Sequence, residues 1–154
     1  MRRLCVALLI ATSCHTAALE AKDAGVDVPA RAVVRFETPR GPWIVRVEIA
    51  HDDQARARGL MFRRDLPPDH GMIFIFDETA EHPFWMHNTL ISLDMIHLGE
   101  DRAVVGVIAR APPQTDTSRV LGKPSRYVVE VGAGEAAVHG VGPGTRAVFI
   151  DVPE

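Results

Sequence analysis

Cysteine is nearly absent from this chain: Cys5 and Cys14 are the only two among 154 residues. Both lie near the N-terminus, so a domain that lost this segment would contain no thiol. That would exclude disulfide bridges, thiolate metal ligands and a cysteine nucleophile. No internal run reaches the roughly 18 apolar residues that a membrane-spanning helix needs. The sequence therefore predicts a domain held together by its hydrophobic core, without covalent bridges.

An excess of basic residues is also lacking. Seventeen Lys and Arg stand against twenty Asp and Glu, a formal net charge of −3, whereas nucleic-acid-binding domains show a basic face. The chain has no P-loop, no dinucleotide glycine fingerprint and no His-Glu-x-x-His motif, and no serine lies in a nucleophile-elbow context. We therefore expect no nucleic-acid partner, and an enzymatic role is uncertain and not favoured.

The first eighteen residues follow the pattern of an export signal. Arg2 and Arg3 are basic, residues 4–11 are apolar, and Thr16-Ala17-Ala18 offers a site of the kind that signal peptidases cleave. We expect residues 1–18 to be a signal peptide, 19–30 a flexible linker or tail, and 31–154 the folded domain. The protein is then exported, most simply to the periplasm.

Lipidation is the alternative fate of this N-terminus. Residues 11–14 loosely resemble a bacterial lipobox that ends at Cys14, although Ala11 stands where Leu is usual. In that case the protein would be a lipoprotein anchored through Cys14. A membrane would be a partner in this case alone.

Short β-strands dominate the pattern of the remaining chain. Residues 43–49 alternate between apolar and mostly charged positions, and residues 72–76 form an apolar run rich in β-formers. Further strands are predicted at 32–37, 82–86, 93–98, 103–109, 127–131 and 146–152. A short helix is predicted from an N-cap at Asp52 to a left-handed Gly59, and a second at 135–139. About eight short strands and one or two short helices predict a mainly β fold, either a jelly-roll-like β-sandwich or a small barrel.

One long segment, Arg110 to Arg126, shows no periodicity and contains two consecutive prolines. An unstructured connection of this length is uncommon in a compact domain, and such connections are often functional. We expect it to be a loop that can close over a site.

Four ordered blocks resemble a known family. They are Ala57 to Arg63 with Leu66-Pro67, Gly71 to Phe76, Phe84 to Thr89 with Leu93-Asp94, and Arg126 to Glu130 leading to the Gly140–Gly144 turn. Their order and spacing are similar to the DUF192 family, also called UPF0127, from about Val45 to Phe149. The resemblance implies a small, mainly β domain of the jelly-roll-like kind, often with a bacterial export signal. It supplies no catalytic residues, and His87 stands where relatives commonly have Lys.

The residues around the third block suggest a small-ligand pocket. The candidate ligand-binding residues are Arg58, Trp85, Asn88, Thr89 and Asp94. Trp85 offers a flat apolar wall, Asn88 and Thr89 offer donors and acceptors, and Arg58 and Asp94 offer opposite charges. The alternative is that these polar groups hold the local structure together, with Asn88 bonding the backbone of a turn.

A soft-metal site is a weaker hypothesis from the same region. Its methionines and histidines are ligand types that suit Cu(I), and they are Met61, Met72, Met86, His82, His87 and His97. Trp85 could cover a cation with its ring. However, Met86 and His87 are adjacent, and neighbours on a strand point to opposite faces. We therefore predict no metal site and no cofactor.

The sequence favours an exported, non-catalytic binding module for a small molecule or another envelope protein. The alternative is an envelope hydrolase or isomerase that uses the Trp85–Asp94 region. Asp94 and His97 could serve general acid–base chemistry, but their odd spacing places them on opposite faces of a strand.

Overall fold

The structure, a computed structural model, describes residues 32–153. The signal-peptide, linker and Cys14 predictions concern residues outside this range. Seven strands and two short helices are found within it: β1 (Val33–Thr38), β2 (Gly41–Ala50), α1 (Asp53–Arg58), β3 (His70–Ala80), β4 (Leu93–Leu98), β5 (Val104–Ala111), β6 (Ser125–Gly132), α2 (Glu135–His139) and β7 (Arg146–Ile150). The prediction of a mainly β fold with short helices is confirmed. In this part of the chain, no helix is long and apolar enough to cross a membrane.

All seven strands form one sheet in the order β5-β4-β6-β3-β2-β1-β7. β2 and β3 are parallel, whereas every other neighbouring pair is antiparallel. Parallel neighbours cannot be joined by a tight turn and need a crossover connection. Helix α1 and residues 59–69 supply that crossover, which passes over one face of the sheet.

The sheet curls until its two edge strands meet at one end. The Gly144 N–H donates to the Val104 carbonyl, and the Val104 N–H donates to the Thr145 carbonyl, both at 2.8 Å. The Ala147 N–H donates to the Arg102 carbonyl at 2.9 Å. Of the two predicted architectures, this single curled sheet is nearer to the small barrel than to the sandwich.

The main hydrophobic core lies inside the curl. It contains side chains from both edge strands and from the strands between them, among them Phe36, Val45, Ile96, Val104 and Ala147. The alternation predicted for 43–49 is observed in β2, where Trp43, Val45, Val47 and Ile49 are buried and the intervening Ile44 and Arg46 are exposed.

A second, smaller core lies on the outer face of the sheet. Helix α1 and the two long connections cover this face, and Leu60, Phe74, Met86 and Met95 are fully or almost fully buried there. Complete burial of a side chain of this size contributes about 1.5–3 kcal/mol. The outer core therefore fastens the covering segments to the sheet.

The predicted strand at His82–Met86 is not a strand. This segment is extended but pairs only through an isolated bridge between Phe84 and Arg119. Arg119 lies in the connection predicted as unstructured. The two ends of this connection belong to β5 and β6, and its middle, residues 112–124, runs alongside residues 84–89. Sequence pattern cannot show this pairing, because the two segments are distant in the chain and neither has an alternating run of its own.

Candidate functional site

A cleft, here called cleft A, opens where the outer core meets the solvent. Its floor is the sheet, one wall is the end of α1 with the residues that follow, and the other wall is the 84–89 segment. The empty volume is about 270 Å³. The lining residues are Phe74 and Glu130 on the floor, Arg56 to Met61 on the first wall, and Phe84, Trp85 and Thr89 on the second.

The α1 wall is fixed at both ends of the helix. As predicted, Asp52 is the N-cap, and its carboxylate accepts the Ala55 N–H at 2.7 Å. Gly59 ends the helix with φ of 47° and ψ of −136°, a conformation open essentially to glycine. Glycine is needed for space as well, since a Cβ would lie 3.2 Å from the Phe74 ring on the cleft floor. The helix therefore ends at the cleft without a side chain that would fill it.

The second wall is held by the 112–124 connection. Phe84 and Arg119 exchange two backbone hydrogen bonds of 2.9 and 2.8 Å, and the Met86 N–H donates to the Thr115 carbonyl at 2.9 Å. Because the segment is extended, neighbouring side chains point in opposite directions. Met86 is completely buried in the outer core, and this leaves the Trp85 side chain 53% exposed at the cleft.

A hydrogen bond joins the two walls at the mouth of the cleft. The Phe62 N–H donates to the Asn88 carbonyl at 2.8 Å. Both residues have positive φ, 65° for Phe62 and 51° for Asn88. Asparagine tolerates this region, but a bulky residue such as phenylalanine seldom adopts it, and such backbone strain concentrates at functional sites.

Glu130 is the most unusual residue of cleft A. It lies on β6 between Met72 of β3 and Met95 of β4, which are its register partners, and it is 4% exposed. No other described residue makes a hydrogen bond or ion pair with its carboxyl group. Burial raises the pKa of Glu130 from 4.5 to about 8, so the acid is mostly neutral at pH 7. A buried, perturbed acid at a cleft marks a functional-site candidate.

Two arginines, Arg56 and Arg58, lie on the α1 wall. The guanidinium of Arg56 donates to the carbonyls of His51 and Ile75 at 2.7 Å each and pairs with Asp53 at 2.6 Å. Arg58 is exposed. Arg56 therefore has its donors engaged, and Asp53 balances its charge.

A second cleft, here called cleft B, is also lined by Trp85. It is lined by Pro83, Phe84, Trp85, Asp116 and Ser118, with an empty volume of about 420 Å³. Nearby, His87 Nδ1 lies 2.7 Å from a carboxylate oxygen of Asp116, and the His87 ring is 5.2 Å from the Trp85 ring. Trp85 and Phe84 line both clefts, so a ligand seated on the indole can reach either one.

The five predicted site residues divide into three groups. Arg58, Trp85 and Thr89 line cleft A. Asn88 lies at its mouth and contributes its backbone carbonyl. Asp94 is remote from the cleft. It lies between Leu93 and Met95 on β4, whose side chains enter the outer core, so the Asp94 side chain points to the opposite face of the sheet.

Asp94 is fully buried, and its hydrogen bonds are structural. One carboxylate oxygen accepts the Arg110 N–H at 2.7 Å. The other accepts the N–H groups of Gly134 and Ala136 at the start of α2, at 2.9 and 3.2 Å. Asp94 thus joins β4 to β5 and α2, and the Asp94–His97 acid–base pair considered from the sequence is not assembled.

Glu130 was missed by sequence reasoning, although a signal is present. The run Tyr127 to Val131 is apolar except for this one acid, and an acid that interrupts a buried strand needs a partner or a neutral form. Only the three-dimensional structure shows that Glu130 faces the same cleft as Trp85, which lies 45 residues earlier in the chain.

The methionines and histidines considered as metal ligands have separate surroundings. Met72 and Met86 are buried in the outer core, and His82 stacks on Phe76 with ring centres 3.5 Å apart. His97 is 1% exposed, and its Nδ1 lies 3.2 Å from the Ser125 hydroxyl. Across residues 32–153, no group of three or more His, Cys, Asp or Glu side chains is arranged to hold a metal ion.

The curled single sheet with two short helices defines a class of small β domain that also occurs in two solved structures. A protein of unknown function from Novosphingobium aromaticivorans is 36% identical, with a TM-score of 0.73 over 75% of this chain and 83% of its own. A protein from Sinorhizobium meliloti, described as a "putative transcription regulator", is also 36% identical, with a TM-score of 0.74 over 77% of this chain and 94% of its own.

The DUF192 family model, described as an uncharacterized ACR, matches residues 35–149. The chain therefore belongs to the DUF192 family, and the resemblance found in the sequence is confirmed. No curated protein gives a match.

Proposed function

We propose that this DUF192 domain is an exported, non-catalytic binding module whose small-molecule ligand occupies cleft A. One observation carries the proposal: a half-exposed Trp85 shares a cleft with a buried Glu130 whose carboxyl group has no hydrogen-bond or ion-pair partner among residues 32–153. Ligand sites are mostly apolar with a few placed polar groups. An exposed tryptophan and a buried, unpaired acid are both unfavourable in the free protein. A ligand that covers the indole and forms hydrogen bonds with the acid would stabilise both.

The size of cleft A limits what enters it. The empty volume of about 270 Å³ is partly open to solvent, so little room remains at the floor itself. The ligand therefore inserts a small end at Glu130, and its larger part lies outside on Trp85 and toward cleft B. Cleft B has the greater empty volume, about 420 Å³.

The proposal of export rests on the N-terminal pattern of Arg2, Arg3 and the apolar residues 4–11. It predicts that protein purified from a bacterial envelope begins after Ala18. Intact-mass measurement tests this, because a chain carrying diacylglycerol on Cys14 would support the lipoprotein alternative, and a full-length chain would contradict cleavage after Ala18.

Native mass spectrometry of the envelope-purified protein tests the ligand proposal. We expect a small molecule to remain bound to the wild type and to be lost from Trp85→Ala. Ile44→Ala is the matched control, because Ile44 is 51% exposed and lies on β2, outside both clefts. A molecule retained by both variants, or absent from the wild type, would contradict a site at cleft A.

A protein partner from the envelope is the second candidate for the same surface. Phe62, Trp85 and Leu90 are 61%, 53% and 38% exposed, and the Phe62–Asn88 hydrogen bond brings their segments together. Exposed apolar patches mark interaction surfaces. Chemical crosslinking in intact envelopes tests this candidate: Phe62→Ala and Leu90→Ala should remove a crosslinked species that Ile44→Ala keeps.

A further inference from the structure

The group at the floor of cleft A determines which ligand end can bind there. Glu130 is enclosed by its register partners Met72 and Met95, and neither offers a hydrogen bond of useful strength. Because desolvation raises its pKa to about 8, the side chain presents a neutral carboxylic acid at pH 7. Such a group has one O–H donor and one carbonyl acceptor side by side. A ligand that satisfies both must present an acceptor next to a donor.

The hydrogen-bonding groups at the floor of the cleft disfavour an ionic ligand end. A cationic end such as an amidinium has donors only, so it would leave the Glu130 O–H without an acceptor. A carboxylate has acceptors only, so it would leave the Glu130 carbonyl oxygen without a donor. It would also bring a charge onto a floor from which most water is excluded.

The space at the floor admits only a small ligand end, because the whole cleft has an empty volume of about 270 Å³, part of it open to solvent. Above it, Trp85 provides a flat aromatic surface with a half-exposed side chain, which suits a planar group stacked on the indole.

We infer that the ligand of cleft A inserts a neutral, planar carboxamide-type group, whose C=O and N–H pair with the Glu130 carboxyl while its ring or plane stacks on Trp85. This inference rests on the proposed function and specifies its ligand class. An amide at the end of an aromatic ring, a lactam and a ureido group all have this chemistry. In this interaction Glu130 recognises the ligand and takes part in no reaction.

Three probes of nearly equal shape separate the possibilities: benzamide, benzoate and benzamidine carry a neutral, an anionic and a cationic end on the same ring. Each is titrated into the full-length protein at pH 6.5 and followed by two-dimensional NMR. The Trp85 indole N–H reports on the cleft. The Trp43 indole N–H is the internal control, because it is buried and donates to Asp69 at 2.7 Å.

We expect benzamide to shift the Trp85 signal saturably and to bind at least fivefold more tightly than benzoate or benzamidine. Glu130→Gln should keep benzamide binding, since a side-chain amide also presents a donor beside an acceptor. Glu130→Met, which matches the flanking methionines, should weaken it at least tenfold. Raising the pH to 9.5 should weaken benzamide binding in the wild type and leave Glu130→Gln unchanged.

Tighter binding of benzoate or benzamidine at Trp85 would overturn the ligand class and leave the proposed function standing. Benzamide binding that is unchanged in Glu130→Met would overturn the role of Glu130. If no probe shifts the Trp85 signal, the carboxamide inference is wrong, and the molecule retained or lost by Trp85→Ala in native mass spectrometry decides the proposed function separately.

Discussion

Glu130 makes the stability of this protein depend on pH in a direction opposite to that of most acids. The unfolded chain releases the Glu130 proton near pH 4.5, whereas burial holds its pKa at about 8 in the folded protein. The contribution of Glu130 to stability is therefore fully present below its pKa in the unfolded chain and is lost as the pH rises toward 8. At 1.36 kcal/mol per pKa unit, the shift between the unfolded and folded pKa values amounts to about 5 kcal/mol of stability.

Replacing Glu130 with Gln removes this titration and keeps the shape of the side chain. We expect Glu130→Gln and wild type to differ by about 1 kcal/mol or less at pH 4.5. At pH 8.5 the variant should be more stable by up to about 5 kcal/mol. Urea unfolding followed by far-UV circular dichroism at pH 4.5, 6.5 and 8.5 measures this difference.

Glu81→Gln is the control for the loss of one negative charge, because Glu81 is exposed. Its stability should follow that of the wild type at each pH. The reasoning is refuted if Glu130→Gln also runs parallel to the wild type, since the folded and unfolded pKa of Glu130 would then be equal.

Three further predictions concern His97, Asn88 and Asp94. Burial lowers the pKa of His97 from 6.5 to about 4, so the contribution of His97 to stability should fall by about 3 kcal/mol between pH 6.5 and 4; chemical unfolding should show the stability difference between wild type and His97→Gln changing by this amount, and a constant difference would contradict it. Asn88→Ala should lower the free energy of unfolding by about 1 kcal/mol because alanine resists positive φ, whereas Asn88→Gly should not, and equal melting temperatures for the two would refute this. Asp94→Asn should cost about 2–3 kcal/mol by disrupting hydrogen bonds to backbone N–H groups without changing ligand binding in NMR titrations, and a folded variant that no longer binds would contradict a structural role.

Local signals in the sequence predicted much of the fold correctly. The alternation in β2, the apolar run of β3, the Asp52 cap and the positive φ of Gly59 depend on neighbouring residues, and local physics determines them. The extra strand predicted at 82–86 was wrong, because its single bridge to Arg119 depends on a partner more than thirty residues away. Strand order and the parallel β2–β3 pair have no local signal either.

The candidate site was predicted in part for the same reason. Trp85 and Thr89 belong to one short block, and Arg58 ends a helix that the sequence indicates, so their chemistry was visible in the sequence. Asp94 was predicted as a ligand-binding residue from the same block of sequence, but its side chain lies on the opposite face of β4. Glu130 was overlooked because the sequence does not show whether an acid within an apolar strand is buried, paired or exposed at a cleft.

The parallel pairing of β2 and β3 also has a consequence for folding kinetics. The crossover that this pairing requires is the same chain segment, α1 and residues 59–69, that forms one wall of cleft A. Contacts between segments distant in the chain require loop closure before they stabilise anything, so pairings of this kind form slowly. The wall packs on the sheet once β2 and β3 are in register, and the floor of the cleft also needs the more distant pairing of Met72 with Glu130. The cleft is therefore expected to be completed after the β2–β3 pair has formed.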